Sequence, residues 1–548
     1  MDSASYNSEK QGAHHTSVSI RDVDVAASLD SDAPLDSQVA ARIRRKIDWH
    51  LMPFIMTFAD KTTLGQSAVL GIIPDAHLTQ NQFNWLGTIF YLSYLVFQYP
   101  QNLALQKFPV AKWMSINIFV WAIALLAHSA CKSFGALFAV RFILGMCAIT
   151  PGFMIVTSMF YTRAEQNKRV GYWFLMNGFA IIILGFISFG VLHAKVNDHH
   201  RRYYFDHFRV ILVHITSHTL SWSSVPNRGM PFQRFYFPDS PTTAYFLTPE
   251  ERTQAVQRIK GNQAGIENKQ WKRDQFIETC LDPKIWVMAA FAATANIVNS
   301  LTNQRQLIIN QFGFSPIKTT LLGCVDGVVE IVTIWLGVTL ASRRSIGRGY
   351  AAALMFIPAL LGTILVNKLP SHDKVGLLFS YWSSCLLPSQ SFLDGSIPLF
   401  PDTPNVFFGL ALSGNGIDGN NIGTTTNAII LSAYAIANAA GPFMWKKKYT
   451  PRYVVTHRFV PILTFRERNH VPWTIISACI GASFVLILTL RFMLHSENKR
   501  REAEKRDDSY DDVYFTEQLT DGTKKERKVD RAFLDLTDLQ NRDFRYDL

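Results

Sequence analysis

The sequence predicts an all-α protein embedded in a lipid bilayer. First, apolar runs of roughly 20 residues recur between about Ala40 and His495, each long enough to cross a ~30 Å hydrocarbon layer. Second, the apolar content is high, with 48% hydrophobic residues, 13% aromatic residues and 40 Phe, although both ends of the chain are polar and charged. Third, the net charge of +12 is gathered at the ends of the apolar runs, as orientation signals are, and not in a patch suited to nucleic acid.

The runs are Trp49–Ile73, Phe83–Leu105, Val110–Ala130, Phe134–Phe160, Val170–His193, Ile285–Asn303, Thr319–Ser342, Tyr350–Val366, Val375–Pro388, Thr424–Trp445 and Val471–Leu494, about eleven in all. They divide the chain into a cytoplasmic tail (1–42), a first helical bundle (43–193), a central region (194–283), a second bundle (284–494) and a cytoplasmic tail (495–548). The first forty residues have no basic-then-apolar pattern, so the first span is expected to act as the insertion signal. Arg42 and Arg44-Arg45-Lys46 precede it, Arg163 with Lys168-Arg169 follows the fourth run, and Arg343-Arg344 with Arg348 follows the seventh. These loops are expected in the cytoplasm, and Pro74–Gln82, which has no Lys or Arg, outside. The tail after Ser496 reads as solvated text with little fixed structure.

Cofactor and enzyme chemistry have no footing here. Cys131, Cys147, Cys280, Cys324, Cys385 and Cys479 form no C-x-x-C pair and read as small hydrophobes in packed helices, and the 15 His lack metal-ligand spacing. No metal, cofactor, nucleophile triad or Gly-rich phosphate loop is expected.

Counting crossings exposes a gap. The basic loops after the fourth run and before Tyr350 should share a side and so be separated by an even number of spans, yet only three clear runs lie between them. The missing span should fall in Ala194–Phe237, where Arg201, Arg202, Arg209, Arg228 and Arg234 would each cost at least ~2.5 kcal/mol at mid-membrane. Ser389–Pro404 and Tyr453–Glu467 are equally foreign to the pattern. Residues 194–235, 389–404 and 453–467 therefore read as intron-derived or misassembled exon text. A transcript that encodes all three in full would overturn that reading.

Several longer phrases carry a resemblance. "YPQNLALQKFPVAKW", "RFILGMCAITPGF", "FPDSPTTAYFLTPEER", "NSLTNQRQLIINQFGFSPIKTTLLG" and "TTTNAIILSAYAIANAAGPFMW" are similar to the fungal allantoate permease branch of the anion:cation symporters, within the major facilitator superfamily. The resemblance implies two six-helix bundles, nominally 12 transmembrane helices with the sixth and tenth disrupted here, and a substrate site between the bundles at mid-membrane. It implies proton-coupled uptake of a small organic anion of the allantoate or ureide, short-peptide or carboxylate-vitamin class, by a monomer in the plasma membrane with both termini cytoplasmic. A non-transporting nutrient sensor on the same fold and a decayed paralogue are the alternatives.

The candidate site residues are polar groups in apolar text. Asp60 and Lys61 stand in "FADKTTLG"; the resemblance gives Asp60 the coupling proton and Lys61 the substrate carboxylate, and an ion pair at a helix end is the plainer reading. The chain looks about five residues shorter than its relatives between Pro53 and Asp60, roughly 7 Å of helix. Arg141 begins an R-x-x-x-G phrase with Gly145 and is the expected partner of Asp60, while Ala148 stands where relatives carry an acid. Asp326 and Glu330, four apart on one helix face, either supply the proton coupling that Ala148 cannot or stabilise the bundle through neighbouring helices. Asn177, Asn299, Asn303 and Asn438 are amides able to bond a carboxylate, ureide or peptide group, or equally to join helices. Gly441-Pro442 is expected to hinge the eleventh helix.

Overall fold

The computed structural model describes residues 36–51, 72–147, 159–193, 240–260, 273–341, 347–370, 372–385, 420–446 and 470–504, three short strands, and residues 64, 65, 68 and 343. The three foreign segments lie outside the described residues, as do Asp60, Lys61 and Ala148. The described helices are α1 (Ser37–Leu51), α2 (Ile72–Asp75), α3 (Gln80–Lys107), α4 (Val110–Ala130), α5 (Phe134–Met146), α6 (Arg163–His193), α7 (Pro249–Lys260) and α8 (Arg273–Leu281) in the first part of the chain. They continue with α9 (Pro283–Ile297), α10 (Ser300–Gln311), α11 (Pro316–Ala341), α12 (Arg348–Lys368), α13 (Lys374–Ser384), α14 (Asn420–Ala440) and α15 (His470–Ala503).

Local chemistry sets the helix ends. Thr79 caps α3 through a reciprocal box with Gln82, Ser133 caps α5, and the carboxylates of Asp282 and Asp373 cap α9 and α13. The expected span Ile285–Asn303 is divided between α9 and α10. There the Asn296 side chain donates to the Ala292 carbonyl, and the amides of Asn299 and Leu301 bond three residues back, to Asn296 and Val298, which breaks the four-residue ladder. At Gly441 the expected hinge takes the form of a 3-10 turn, Gly441–Met444, that ends α14.

The helices are apolar on the outside as well as within, which suits a lipid solvent. On α12, Tyr350, Leu354, Ile357, Leu361 and Leu365 form an exposed outer stripe, while Ala352, Phe356 and Ala359 are buried against α15 and α13. Pro316–Gly337, Gly349–Lys368 and Val471–Ala503 are long and apolar enough to cross a membrane, and shorter apolar helices lie in α4, α5, α6 and α14. The second half has one core, where Met288, Phe291, Ile308, Phe356, Tyr381, Ile430, Ile480 and Leu490 meet.

At one end of the first half, α1 and α7 pack onto α3, α4 and the residues before α6. Ile43 and Ile47 of α1 share a buried cluster with Leu105, Met114, Phe160, Tyr161, Leu247 and Ala255. Charge pairs rim it: Lys46 bonds Glu251 at 2.6 Å, Asp48 takes a bidentate bond from Arg169, and Arg258 meets Glu165 at 3.1 Å and the Phe160 carbonyl at 2.8 Å. Burial pushes the Glu251 carboxyl up, but the Lys46 bond, the Thr248 amide and the nearby Lys46 and Arg42 charges outweigh it and hold the carboxyl below its usual range. The part of the phrase from Ser240 to Arg252, "SPTTAYFLTPEER", thus folds as the dock of α7 onto α1.

The tails correct one expectation. α15 runs on to Ala503, and beyond it β2 (Val513–Gln518) and β3 (Lys524–Lys528) pair antiparallel, with β1 (Thr16–Val18) parallel on the other edge of β2. Inter-strand pairing, which helical periodicity cannot register, orders text that reads as merely charged. These strands stand outside the all-α bundles.

Among the described residues, two helix pairs chiefly join the halves, α3 with α14 and α6 with α11. The second is the tighter crossing. A Cβ on Gly327 would come 2.6 Å from the Gly178 carbonyl oxygen, one on Gly178 would come 2.6 Å from Ile331, and one on Gly185 would come 2.5 Å from the Cys324 sulfur. Small residues let the two backbones approach in lipid, where van der Waals packing replaces the hydrophobic drive. Gly327→Val should lower stability by about 1–3 kcal/mol or more through overpacking. Thermal unfolding of the detergent-purified protein checks this, and an unchanged midpoint would refute the close crossing.

Candidate functional site

The site is built on the inner face of α11, where Asp326 and Glu330 stand one helical turn apart and are buried. Their partners come from opposite halves of the molecule. Glu330 accepts a 2.6 Å hydrogen bond from the Asn177 amide of α6, one residue from the Gly178 crossing. Asp326 accepts a 2.9 Å bond from the Trp382 indole of α13 and lies 3.5 Å from Arg305 of α10. The Arg305 and Asp326 side chains are 12% and 2% exposed, so this pair is held in a low dielectric, where each charge depends on the other.

The site retains unused bonding capacity. Nη1 of Arg305 and the amide oxygen of Asn177 are buried with no hydrogen-bond partner among the described residues. One is a cationic donor and the other a neutral acceptor, and the carboxylates that hold them are a turn apart.

A second polar cluster lies at the α3–α14 contact. Asn299 at the α9–α10 break donates to Asn438 of α14 and, at 3.4 Å, to the Tyr91 hydroxyl of α3. Asn438 in turn donates to the Tyr434 carbonyl at 2.9 Å and to Asn296 at 3.4 Å. Nearby, Asn84 donates to the Trp445 carbonyl and accepts from Gln304, each at 3.0 Å, while Thr88 bonds the Ala439 carbonyl at 2.9 Å and Gln98 bonds Ser432 at 2.7 Å. This network is uncharged and ties the first half to the second.

The predicted residues therefore separate into groups. Asn177, Asp326 and Glu330 come together, and Asn299 and Asn438 come together elsewhere. Asn303 lies in α10, but its side chain is outside the described residues. Arg141 is buried in α5, whose Gly145 sits against the Phe90 carbonyl of α3, and its expected partner Asp60 is outside the described residues.

Sequence reasoning missed Arg305 and Trp382. Arg305 falls two residues past the end of its apolar run and so reads as the start of a loop. The signal that could have found it is the helical spacing that continues through Ser300–Gln311.

Paired charges set in apolar helices, at the junction of two helical halves, define a polytopic membrane protein of the carrier type. The chain belongs to the Major Facilitator Superfamily, which it matches over residues 54–442. It is 28% identical over 553 residues to a thiamine pathway transporter of Saccharomyces cerevisiae, covering 98% of this chain and 92% of the relative. It is 28% identical over 531 residues to the allantoate permease of the same organism, covering 92% and 86%. Among solved structures, the proton:xylose symporter XylE bound to 6-bromo-6-deoxy-D-glucose superposes with a TM-score of 0.56 at 12% identity, covering 81% of this chain and 96% of that one. The superposition agrees with the two-bundle fold expected from sequence, and the relatives are transporters, not enzymes.

Removing one member of a buried ion pair strands the other. Arg305→Gln should therefore destabilise the protein by about 3–5 kcal/mol, and Asp326→Asn added to it should restore most of that loss. Thermal unfolding across this double-mutant cycle measures the coupling; additive effects would mean that the pair is not formed.

Proposed function

We propose that this protein is a secondary active transporter that takes up a small organic anion together with a proton. The observation that carries the reading is the buried Arg305–Asp326 pair with Arg305 Nη1 unspent. With Asp326 ionised, Arg305 is engaged by it; with Asp326 protonated, the guanidinium is free to take a carboxylate, bidentate if geometry allows. The unspent Asn177 oxygen favours a substrate that also carries an N–H donor, as ureides and peptides do. The allantoate permease relative is in keeping with that class.

Glu330, tied across the halves to Asn177, is a second protonation site whose charge state bears on the contact between bundles. Asp60, Arg141 and Lys61 keep the roles that the resemblance implies, as coupling acid, its partner and an anion contact. Asn299, Asn303 and Asn438 are proposed as substrate contacts that become available when the amide network opens. The working unit is a monomer in the plasma membrane with both termini in the cytoplasm. Two features support that placement: the tails share a sheet and so a side, and the basic residues flank that end of the helices.

Uptake of labelled allantoate, dipeptide or carboxylate vitamin into cells expressing the chain tests the proposal. Uptake should rise as external pH falls, Asp326→Asn should flatten that pH dependence, and Arg305→Lys should weaken apparent affinity roughly 10- to 100-fold, the value of a lost charged hydrogen bond. Uptake indifferent to all three changes would defeat the mechanism. Absent uptake with nutrient signalling retained would favour the sensor.

A further inference from the structure

Helix α1 turns two faces to different surroundings. Ile43 and Ile47 are buried at 0% and 1% exposure, and Arg44, Lys46 and Asp48 beside them are engaged with Glu165, Glu251 and Arg169. On the other side Gln38, Arg42, Arg45 and Trp49 recur at helical spacing and are exposed, Trp49 by 77%. With Ala41 and Lys46 they line a cavity of about 570 Å³. Neither Arg42 nor Arg45 is in an ion pair among the described residues.

The two faces cannot be explained alike. The buried face holds α7 and the end of the first bundle, whereas the exposed one displays two guanidinium groups and a large indole that no ion pair or buried cluster among the described residues engages. Its position decides what it suits: Trp49 opens the apolar run Trp49–Ile73, so this part of α1 lies where headgroups meet acyl chains. An indole is favoured at that depth and costs burial potential in water, and guanidinium groups one turn below it would lie level with lipid phosphates.

We propose that this face of α1 binds the headgroup of an anionic phospholipid in the adjoining leaflet. Arg42 and Arg45 take the phosphate and carboxylate oxygens, and Trp49 rests against the glycerol and upper acyl region. A soluble phosphate would leave Trp49 in water, and a zwitterionic lipid would set its ammonium against the two arginines. Because α7 docks on the same helix, lipid held here would also bear on the end of the first bundle. The inference rests on the membrane placement given above, but not on the identity of the substrate or on proton coupling.

The full-length protein in detergent, titrated with phosphatidylserine, phosphatidylcholine or inorganic phosphate and read by native mass spectrometry, tests it. Phosphatidylserine should be retained in preference to phosphatidylcholine. Arg42→Gln with Arg45→Gln should weaken its retention roughly 25-fold, from about fivefold per charge, and the paired Lys substitutions should keep most of it. Arg343→Gln, in a different basic loop, should leave retention unchanged, and equal thermal midpoints for the variants exclude unfolding as the cause. Equal retention of the two lipids, retention unaffected by the double Gln substitution, or displacement by equimolar inorganic phosphate would each overturn the proposal. Lipid retention is read without transport, so failure of the uptake mechanism and failure of this site give different results.

Discussion

Two carboxylates one turn apart in an apolar helix are tolerable only if each has a partner fixed against it. In α11 that condition draws in three other elements. Glu330 requires Asn177, so α6 must cross α11 at that level, and the crossing is possible because Gly178 and Gly327 present no side chain there. Asp326 requires Arg305 and Trp382, which places α10 and α13 on its other side. Sequence, packing and electrostatics meet at one turn of helix: small residues permit the approach, the approach brings the amide to one carboxylate, and the second carboxylate organises the half to which it belongs.

The two junctions between the halves differ in chemistry. At α3–α14 the bonds are neutral, and several end on backbone carbonyls, at Trp445, Ala439 and Ala428. Bonds of that kind do not respond to a proton. At α6–α11 the bond is to a carboxylate and does. The pairing also bears on the crossing count. If one span lies within 194–237, α11 is the eighth crossing and α14 the eleventh, so the junctions are 2–11 and 5–8, which interchange under a six-span repeat. Without that span they would be 2–10 and 5–7, which do not interchange.

Much of this was legible in the sequence, for reasons that differ by element. The spans were readable because lipid leaves apolar residues on every side of a helix; Val110–Ala130 has the ends that its apolar run gives. Asp326 and Glu330 were readable because a charge in apolar text is conspicuous. Their partners were not, since Asn177 and Trp382 lie 153 and 56 residues away in sequence and only the fold brings them near. Arg305 was hidden by the end of hydropathy where the helix itself continues, and the break at Asn299 by side-chain bonds to which periodicity is blind. The tail strands were hidden because "KKERK" carries the composition of a solvated segment, while its pairing with "VYFTEQ" is set by register.

In the proposed mechanism, coupling follows from burial more than from any special relay. The Arg305–Asp326 pair itself sets one guanidinium against one carboxylate and is neutral as a pair, with Glu330 bonded separately to Asn177. An anion entering alone would leave a net negative charge in a region of low dielectric, and a proton entering alone would leave a net positive one; each state carries a Coulombic and desolvation cost of several kcal/mol. Both together restore neutrality and exchange the Arg305–Asp326 contact for one between Arg305 and the substrate. By linkage, each ligand raises the affinity for the other by the same factor. An acid at position 148 is not required for this balance, because the groups proposed to titrate and to bind the anion, Asp326 and Arg305, already face each other in the second half.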